Sequence, residues 1–535
     1  TEVLAALRDF GEYAWETPVP ISQEGMPLFQ CGRSAVKFRE SGRATVTGEC
    51  SLAAGTFPEL KEFDWPDRGT KAERDSLLLQ ARRFRQTAKP AKAEQAILKL
   101  LNEYPHTRPR KCFGREEWDE IEVARVVEDI CEREINRDAS PGVPVSLLGT
   151  TNGAALDSHK DLICMAVAQR LILLAGANLE SHPSPRELVE LGLVDPVRVF
   201  VKQEPHPRKK LDERRFRLIS SVSLIDQLVE RLMFGPQNMT EIVNWRTCPS
   251  KPGMGLSVSE QARTVWEDLR SKHLCRPAAE ADISGFDWSV QSWELEIDVE
   301  MRIILGHFSP MLAKAARNRF YCFANSVFQL SNGELVEQGL PGLMKSGSYC
   351  TSSTNSRIRC LMAKLIGAPW CIAMGDDSVE GFVVDAKEKY RALGHDCKDY
   401  IPCKTGLSGR LEEVNFCSHL LRDGEFYLTS WPKTLFRYLC AATPHIEELH
   451  SELSTSPMWP KIFQYLCQRS RAADKIHGQK KIQIGESDND RTDGGACFSS
   501  PPETTTAAEE ERRWWLYCQP SFESAGRPGG DCWAS

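Results

Sequence analysis

Two acidic elements in this chain have the composition and spacing to hold divalent cations. One is Gly375-Asp376-Asp377, flanked by the apolar or alternating segments Cys371 to Met374 and Ser378 to Val384. A hairpin over Trp370 to Val384 with its turn at these three residues carries both carboxylates at a rigid, exposed tip. The other is AADISGFDWS, where an apolar lead ends at Asp282 and Asp287 follows five residues later. Gly-Asp pairs are ordinary turn residues, so the hairpin alone carries little. A strand ending in Asp282 beside it would aim at the same two ions, as two-metal phosphoryl transfer requires. Hard oxygen ligands and a phosphate substrate favour Mg²⁺, or Mn²⁺, over zinc.

Phosphate chemistry also needs cations. Arg198 to Arg217 supplies Arg198, Lys202, Arg208, Lys209, Lys210, Arg214, Arg215 and Arg217 against three acids, leaving +5 within twenty positions. Such a loop can hold triphosphate oxygens or a nucleic-acid backbone; a solvated basic turn is the plainer role. Thr351 and Asn355, four apart, share a helix face that could read a sugar or simply pack. Ser140-Pro141-Gly142-Val143-Pro144 is a stiff, kinked loop suited to guiding a strand or to plain connection.

The elements that must position these residues are read from pattern. The 535-residue chain is 41% hydrophobic and 26% charged, an ordinary globular composition with room for several subdomains. Its net charge of -7 confines any nucleic-acid site to a local groove. Nineteen cysteines without C-x-x-C pairs read as free thiols in a reducing compartment. The apolar stretch Leu162 to Leu179 is broken by Gln169 and Arg170 and is too short to span a bilayer. With no signal peptide, the reading is cytoplasmic, and Thr1 at the start is compatible with release from a precursor. Strand-like pieces fall at Ala35 to Phe38 and Ala44 to Val46. Helices are expected from Ala72 towards Pro90, over Ala93 to Leu101, over Glu116 to Asn136, and from Trp288 to Leu305. A capping box at Ser257 and Glu260 should open another, which runs to about Lys272. Arg82, Arg83 and Arg85 read as a solvated helix face, with nucleic-acid contact as the alternative.

Asp282-x4-Asp287, then Ser346-Gly347-x3-Thr351-x3-Asn355, then Gly375-Asp376-Asp377 resemble, in this order, the three central palm motifs of viral RNA-dependent RNA polymerases. Lys202-x-Glu204 with Arg217-Leu218-Ile219 is similar to their basic finger motif, Ser140 to Pro144 to a template-guiding loop, and Phe416-Cys417-Ser418-His419 to the primer-grip turn. The combination spans about residues 140 to 420 and is far more specific than any member. Its wording is closest to polymerases of sobemoviruses, with polerovirus-type enzymes the near alternative.

The resemblance implies an α+β right-hand fold. N-terminal fingers and fingertip extension would occupy 1–95 and further fingers 96–240. Palm would occupy 241–300 and 339–435, with a return to fingers at 301–338, a small helical thumb at 436–485 and a disordered tail at 486–535. It also implies roles. Asp282, Asp376 and Asp377 would hold two Mg²⁺. Asp287 and Asn355, helped by Ser346 and Thr351, would read the ribose 2′-hydroxyl, and Lys202 and Arg217 would hold the triphosphate. RNA would meet Ser140, Gly142, Lys209, Lys210, Arg214, Arg215, Gly347, Phe416, Cys417 and Ser418. For the lysine that protonates pyrophosphate, Lys404 and Lys398 compete, and the following Thr405 favours Lys404. Partners implied are RNA template and nascent strand, NTPs, a protein primer and other viral replication proteins, in the host cytoplasm and at membrane-associated replication complexes.

A reverse transcriptase would share the acidic palm but not the ribose-selecting Asp287 and Asn355, and a non-catalytic RNA scaffold has no need of three acids at one point. The basic run Arg469, Arg471, Lys475, Lys480, Lys481 closes the thumb. After about Glu486 the composition shifts to Gly, Ser, Thr, Pro and acids, interrupted by EEERRWWLYC. Trp514 and Trp515 there suggest a segment that orders on a partner or docks on the thumb.

Overall fold

The computed structural model describes residues 2–484 as a mixed α and β molecule. The compositional break after Glu486, with Trp514 and Trp515, lies outside those residues. A six-stranded sheet runs in the spatial order Tyr13–Ser22, Leu28–Ser34, Glu334–Gln338, Val327–Gln329, Val197–Val201, Leu218–Ser221. Its ladders are antiparallel except where Val327–Gln329 lies beside Val197–Val201. Three remote stretches of chain therefore share one sheet. Val197–Val201 is buried along its whole length, which suits a run dominated by valine and phenylalanine. The strands expected at Ala35 to Phe38 and Ala44 to Val46 do not form. That backbone is held by single contacts instead, Gln329 Nε2 donating to the Val36 carbonyl at 2.9 Å and Phe38 N to the Ser331 carbonyl at 2.8 Å.

The apolar stretch broken by Gln169 and Arg170 lies in helix Asn152–Gly176 up to Gly176, and both residues are buried. Arg170 forks onto Asp195 at 2.7 and 3.0 Å and reaches Asp226 at 3.1 Å, so its charge is matched inside the core. No helix of the described residues is long and apolar enough to cross a membrane. The helix expected over Glu116 to Asn136 is Glu120–Arg133, where the Asp119 carboxylate caps Ile121 N at 2.9 Å. The capping box at Ser257 is absent: the helix is Ser259–Cys275, with Val258 at its N-cap and no side-chain cap.

A second sheet orders Cys371–Met374, Asp377–Gly381, Ala278–Ile283 and Cys397–Pro402, all antiparallel. On one face Ala373 and Ile283 join the core of helix Thr351–Leu365 through Ile358 and Leu361. On the other, Ile372, Met374 and Val379 pack with Trp266 and Leu269 of helix Ser259–Cys275. A third sheet, Lys404–Thr405, Leu411–Phe416, His419–Arg422, Glu425–Leu428, leads to helices Trp431–Cys440, Ile446–Leu453 and Trp459–Ile484. Against these pack Cys50, Ala53, Phe57 and Leu60, so the N-terminal segment spans from the first sheet to the C-terminal helices.

Candidate active site

The hairpin turns tighter than the sequence suggested: Met374 pairs with Asp377, so the loop is Gly375-Asp376 and Asp377 begins the return strand. Gly375 takes φ +61, the left-handed conformation such a turn needs, and its N–H donates to Ser356 Oγ at 2.8 Å. Ala281 pairs with Ser378, which brings Asp282 opposite Asp377 at the end of the ladder, one strand spacing of ~4.8 Å away. On the other side Asp399 pairs with Asp282. Burial first, then the charges of Asp287 and Asp377, push the Asp376 carboxyl well above the usual carboxylate range. Asp377 is pushed up to about 6 by burial, with Asp282 adding repulsion and the Cys417 N–H opposing it.

That N–H comes from the turn Phe416-Cys417-Ser418-His419. Phe416 pairs with His419, and Cys417 and Ser418 take φ +51 and +58, a conformation costly for residues with a side chain. The strain has a use here, since Cys417 N donates to Asp377 Oδ2 at 2.7 Å.

The helix expected from Trp288 begins only at Ser292. A 3₁₀ turn, Phe286–Trp288, precedes helix Ser292–Leu305 and lets the Asp287 carboxylate meet Asn355 Nδ2 at 2.9 Å. Burial raises Asp287 to about 6, partly countered by Asn355 and then Arg217. Asn355 Oδ1 is buried without a hydrogen-bond partner, an acceptor left open beside Asp287. Ser346 and Thr351 spend their hydroxyls on backbone, Ser346 on the Leu218 carbonyl at 3.3 Å and Thr351 on that of Ser348 at 2.8 Å. Gly347 passes so close to the strand Leu218–Ser221 that a Cβ would stand 2.0 Å from the Ser220 carbonyl oxygen. The Gly347 carbonyl accepts from Gln227 Nε2.

The basic segment divides. Glu204, buried, accepts from Arg217 at 2.6 Å and lies 3.4 Å from Lys202 Nζ and 3.1 Å from Lys433 Nζ. Burial raises its pKa, but Arg217, Lys202 and Lys433 together hold it well below the usual range. Lys210 lies among the same cations: burial, then Arg217, Arg215 and Lys433, lower its pKa. The field of Arg217 reaches both Asp287 and Asp376 and lowers each pKa slightly against the effect of burial. Arg214 is different. Its guanidinium bridges Asp75 and Asp67 at 2.9 Å each, a structural tie that replaces the expected RNA contact. Arg215 pairs with Glu213, and Lys209 is exposed on the short helix Arg208–Asp212. Ser140 and Gly347 line one pocket with Gln227. Gly142 takes φ +68 where a Cβ would sit 2.8 Å from Ser223 Cα, and Leu224 N donates to the Pro141 carbonyl at 2.8 Å.

The preference for Lys404 over Lys398 is overturned by the direction of one strand. Cys397–Pro402 runs antiparallel to Ala278–Ile283, with Asp399 beside Asp282, Pro402 beside Ala279 and Cys403 N bonded to the Ala278 carbonyl. Lys404 follows at the far end, at least four residues or ~13 Å along the strand from Asp282. It is exposed and pairs with Glu413 in the neighbouring sheet. Lys398 lies at the irregularity between Cys397 and Asp399, at the carboxylate end.

Sequence reasoning missed Lys433, whose partner Glu204 lies 229 positions away. It also undervalued the arginines after helix Thr70–Ala81. Arg83 donates to Ser284 Oγ at 2.9 Å and Arg85 to Asp396 at 2.9 Å, while Thr87 Oγ1 donates to the Leu393 carbonyl at 2.9 Å. Residues 83–87 thus strap the loop after Asp282 to the loop before Lys398.

Asp282, Asp376 and Asp377 thus meet at one end of a sheet, with the Asp287–Asn355 contact and Arg217 nearby. Residues 49–456 match the family described as viral RNA-directed RNA-polymerase, and the chain belongs to that family. It is 56% identical over 486 residues to the replicase polyprotein P2AB of Southern cowpea mosaic virus, covering 91% of this chain and 51% of the relative. It is 54% identical over 495 residues to the replicase polyprotein P2AB of Southern bean mosaic virus, covering 92% and 51%. Protein P1-P2 of Potato leafroll virus is 40% identical over 395 residues, covering 68% of this chain and 36% of the relative. The sobemovirus replicases therefore resemble it more than this polerovirus-type relative does. The chain spans about half the length of the replicase polyproteins it matches.

Proposed function

We propose that this chain is the catalytic part of a positive-strand RNA virus replicase, joining NTPs to the 3′-hydroxyl of a strand paired to an RNA template. The observation that carries the reading is the meeting of Asp282 with the hairpin acids Asp376 and Asp377 at one end of one sheet, facing Arg217. Among the described residues no group of three or more His, Cys, Asp or Glu side chains is placed to hold a metal ion by itself. Mg²⁺ is usually held by one or two carboxylates together with substrate phosphates and water. The donor set fits as well: Asp376 and Asp377 are partly buried carboxylates whose pKa is raised by desolvation and by neighbouring carboxylates, the groups a divalent cation would relieve. Asp282 and Asp376, with Asp377 assisting, would hold two Mg²⁺ or Mn²⁺ ions, which when bound lower the pKa of the 3′-hydroxyl and neutralise charge at the α-phosphate.

The chain's own residues do the rest. Arg217 and Lys202 take the triphosphate oxygens, held in place beforehand by Glu204. Asp287 and Asn355 receive the 2′-hydroxyl, for which the open Asn355 Oδ1 is an acceptor. The 3′-oxygen, its proton given up to solvent water, bonds to the α-phosphorus as the bond to the α–β bridging oxygen breaks, and Lys398 gives a proton to the departing pyrophosphate. Cys417 N–H keeps Asp377 aimed, and the turn Phe416-Cys417-Ser418 lies where a primer end would arrive. Ser140, Gly142 and Gly347 flank the template path, and Lys209, Lys210 and Arg215 line the cation side. The fingers, palm and thumb boundaries stated above, a protein primer, replication partners of the tail and a host cytoplasmic location, including membrane-associated complexes, belong to the same proposal.

The test is incorporation of labelled NTPs on a defined RNA template with Mg²⁺, comparing the wild type with Asp376→Ala/Asp377→Ala. Incorporation by the wild type alone supports the reading. Equal incorporation by both proteins refutes it, and equal RNA binding without incorporation, with or without a protein primer, favours a scaffold.

A further inference from the structure

Behind the carboxylates lies a buried relay that the mechanism does not use. Ser289 Oγ and His395 Nδ1 are 2.7 Å apart, and His395 Nε2 lies 2.8 and 2.9 Å from the two oxygens of Glu294. All three residues are buried, His395 and Glu294 completely. The His395 ring stacks on Phe286 with centroids 5.6 Å apart and planes 14° from parallel. Ser289 Oγ also lies 2.8 Å from the Phe286 carbonyl, and Gln291 N donates to Glu294 Oε1 at 2.8 Å. One imidazole therefore closes a hydrogen-bonded chain between two loops of different origin. The segment 284–291 carries Asp287, and the loop 393–396 leads into the strand whose second residue is Lys398. A serine, histidine and glutamate in this order could suggest a nucleophile, but complete burial denies it a substrate.

We propose that His395 is a positioning residue which, through Ser289 and Glu294, locks the loop bearing Lys398 to the loop bearing Asp287, so that ribose recognition and proton delivery are set by one rigid unit. Polar networks fully satisfied in a dry interior are stiff, and losing one partner leaves the others buried and unpaired. The two loops then loosen together, while the acidic hairpin, held by its own ladder and by Ser356 and Cys417, does not.

The roles given to the two loops rest on the polymerase reading, so the experiment has one arm independent of activity. Amide hydrogen exchange of the full chain is compared among wild type, Ser289→Ala, His395→Gln and His395→Ala. Ser289→Ala deletes one contact with the least disturbance, and His395→Gln keeps a polar group at the site. The expected result is exchange faster by on the order of ten- to a hundredfold in both 284–291 and 393–398 for His395→Ala, with 371–381 unchanged. Ser289→Ala and His395→Gln should lie between it and wild type. Acceleration in one loop only, in neither, or uniformly across the chain overturns the proposal. In the second arm, single-turnover incorporation at saturating NTP should fall and the preference for NTP over dNTP should narrow, while the NTP concentration for half-maximal rate changes by less than threefold. Unchanged rate and unchanged ribose preference in His395→Ala, with wild type active, overturn it too. A wild type that incorporates nothing refutes the polymerase reading instead, and the exchange arm still decides whether the loops are coupled.

Discussion

Acidification from pH 7 to pH 5 should loosen the segment that carries Arg217 through one histidine. His206 is buried, and burial lowers its pKa from 6.5 to about 4 despite the nearby Glu204. Its Nε2 accepts the Arg217 N–H at 3.0 Å, so the neutral ring is built into the segment that aims Arg217. Because the folded-state pKa lies below the unfolded one, the unfolded segment takes up a proton first as the pH drops. Stability is therefore complete above about pH 6.5 and is lost progressively down to about pH 4. At pH 5 the linkage amounts to about 2 kcal/mol, or roughly a 30-fold rise in the local opening constant. The Arg217 amide reports this directly. Its exchange, corrected for the intrinsic pH dependence, should lose about that factor of protection between pH 7 and pH 5 in the wild type. The loss should be a small fraction of this in His206→Gln, which has no titrating ring, whatever that variant's baseline stability. Parallel losses in the two proteins, or full protection in the wild type at pH 5, would refute the assignment of the neutral ring as a structural acceptor.

Lys398→Leu should slow single-turnover incorporation at saturating NTP by about 10²-fold, the usual worth of a general acid, while Lys404→Leu leaves it within about twofold; the reverse order would restore Lys404. Asn355→Ala removes the donor to Asp287 and the open acceptor beside it. The NTP over dNTP preference should shrink by roughly ten- to a hundredfold in competition assays, and an unchanged ratio would exclude Asn355 from ribose reading. Gly347→Ala forces a Cβ to within 2.0 Å of the Ser220 carbonyl oxygen, so thermal unfolding should show a loss of about 3 kcal/mol or more, and an unchanged Tm would mean the loop can move aside.

What was legible in the sequence was local. Asp376 and Asp377 could be placed because glycine and acids mark a turn between apolar strands, and the Asp287–Asn355 pair because the resemblance named both; helical spacing alone grouped Asn355 with Thr351. The 282–377 apposition and the Phe416–His419 turn stand in the structure where those signals put them, while the hairpin turn is one residue shorter because Asp377 pairs with Met374. Charge counting was weaker. Within one basic run it could not tell Arg217, turned towards the carboxylates, from Arg214, tied to Asp67 and Asp75 about 140 positions upstream. Nor could it show Arg83, Arg85 and Thr87 as a strap, since their partners lie between 201 and 311 positions away.

Lys404 shows most plainly what a motif lacks. A lysine followed by threonine is a local pattern, whereas reaching a leaving group depends on which end of the strand meets Asp282, and that is fixed by the antiparallel register with Ala278–Ile283. Reversing the strand would exchange the two lysines without changing a residue. The same register puts His395 two residues before the strand, within reach of Ser289 and Glu294, so one pairing decision sets both which lysine stands at the carboxylate end and where the relay forms. Assigning an acid in this family of sites therefore requires the direction of the strand that carries it, and the residue bracing that strand's first turn is part of the assignment.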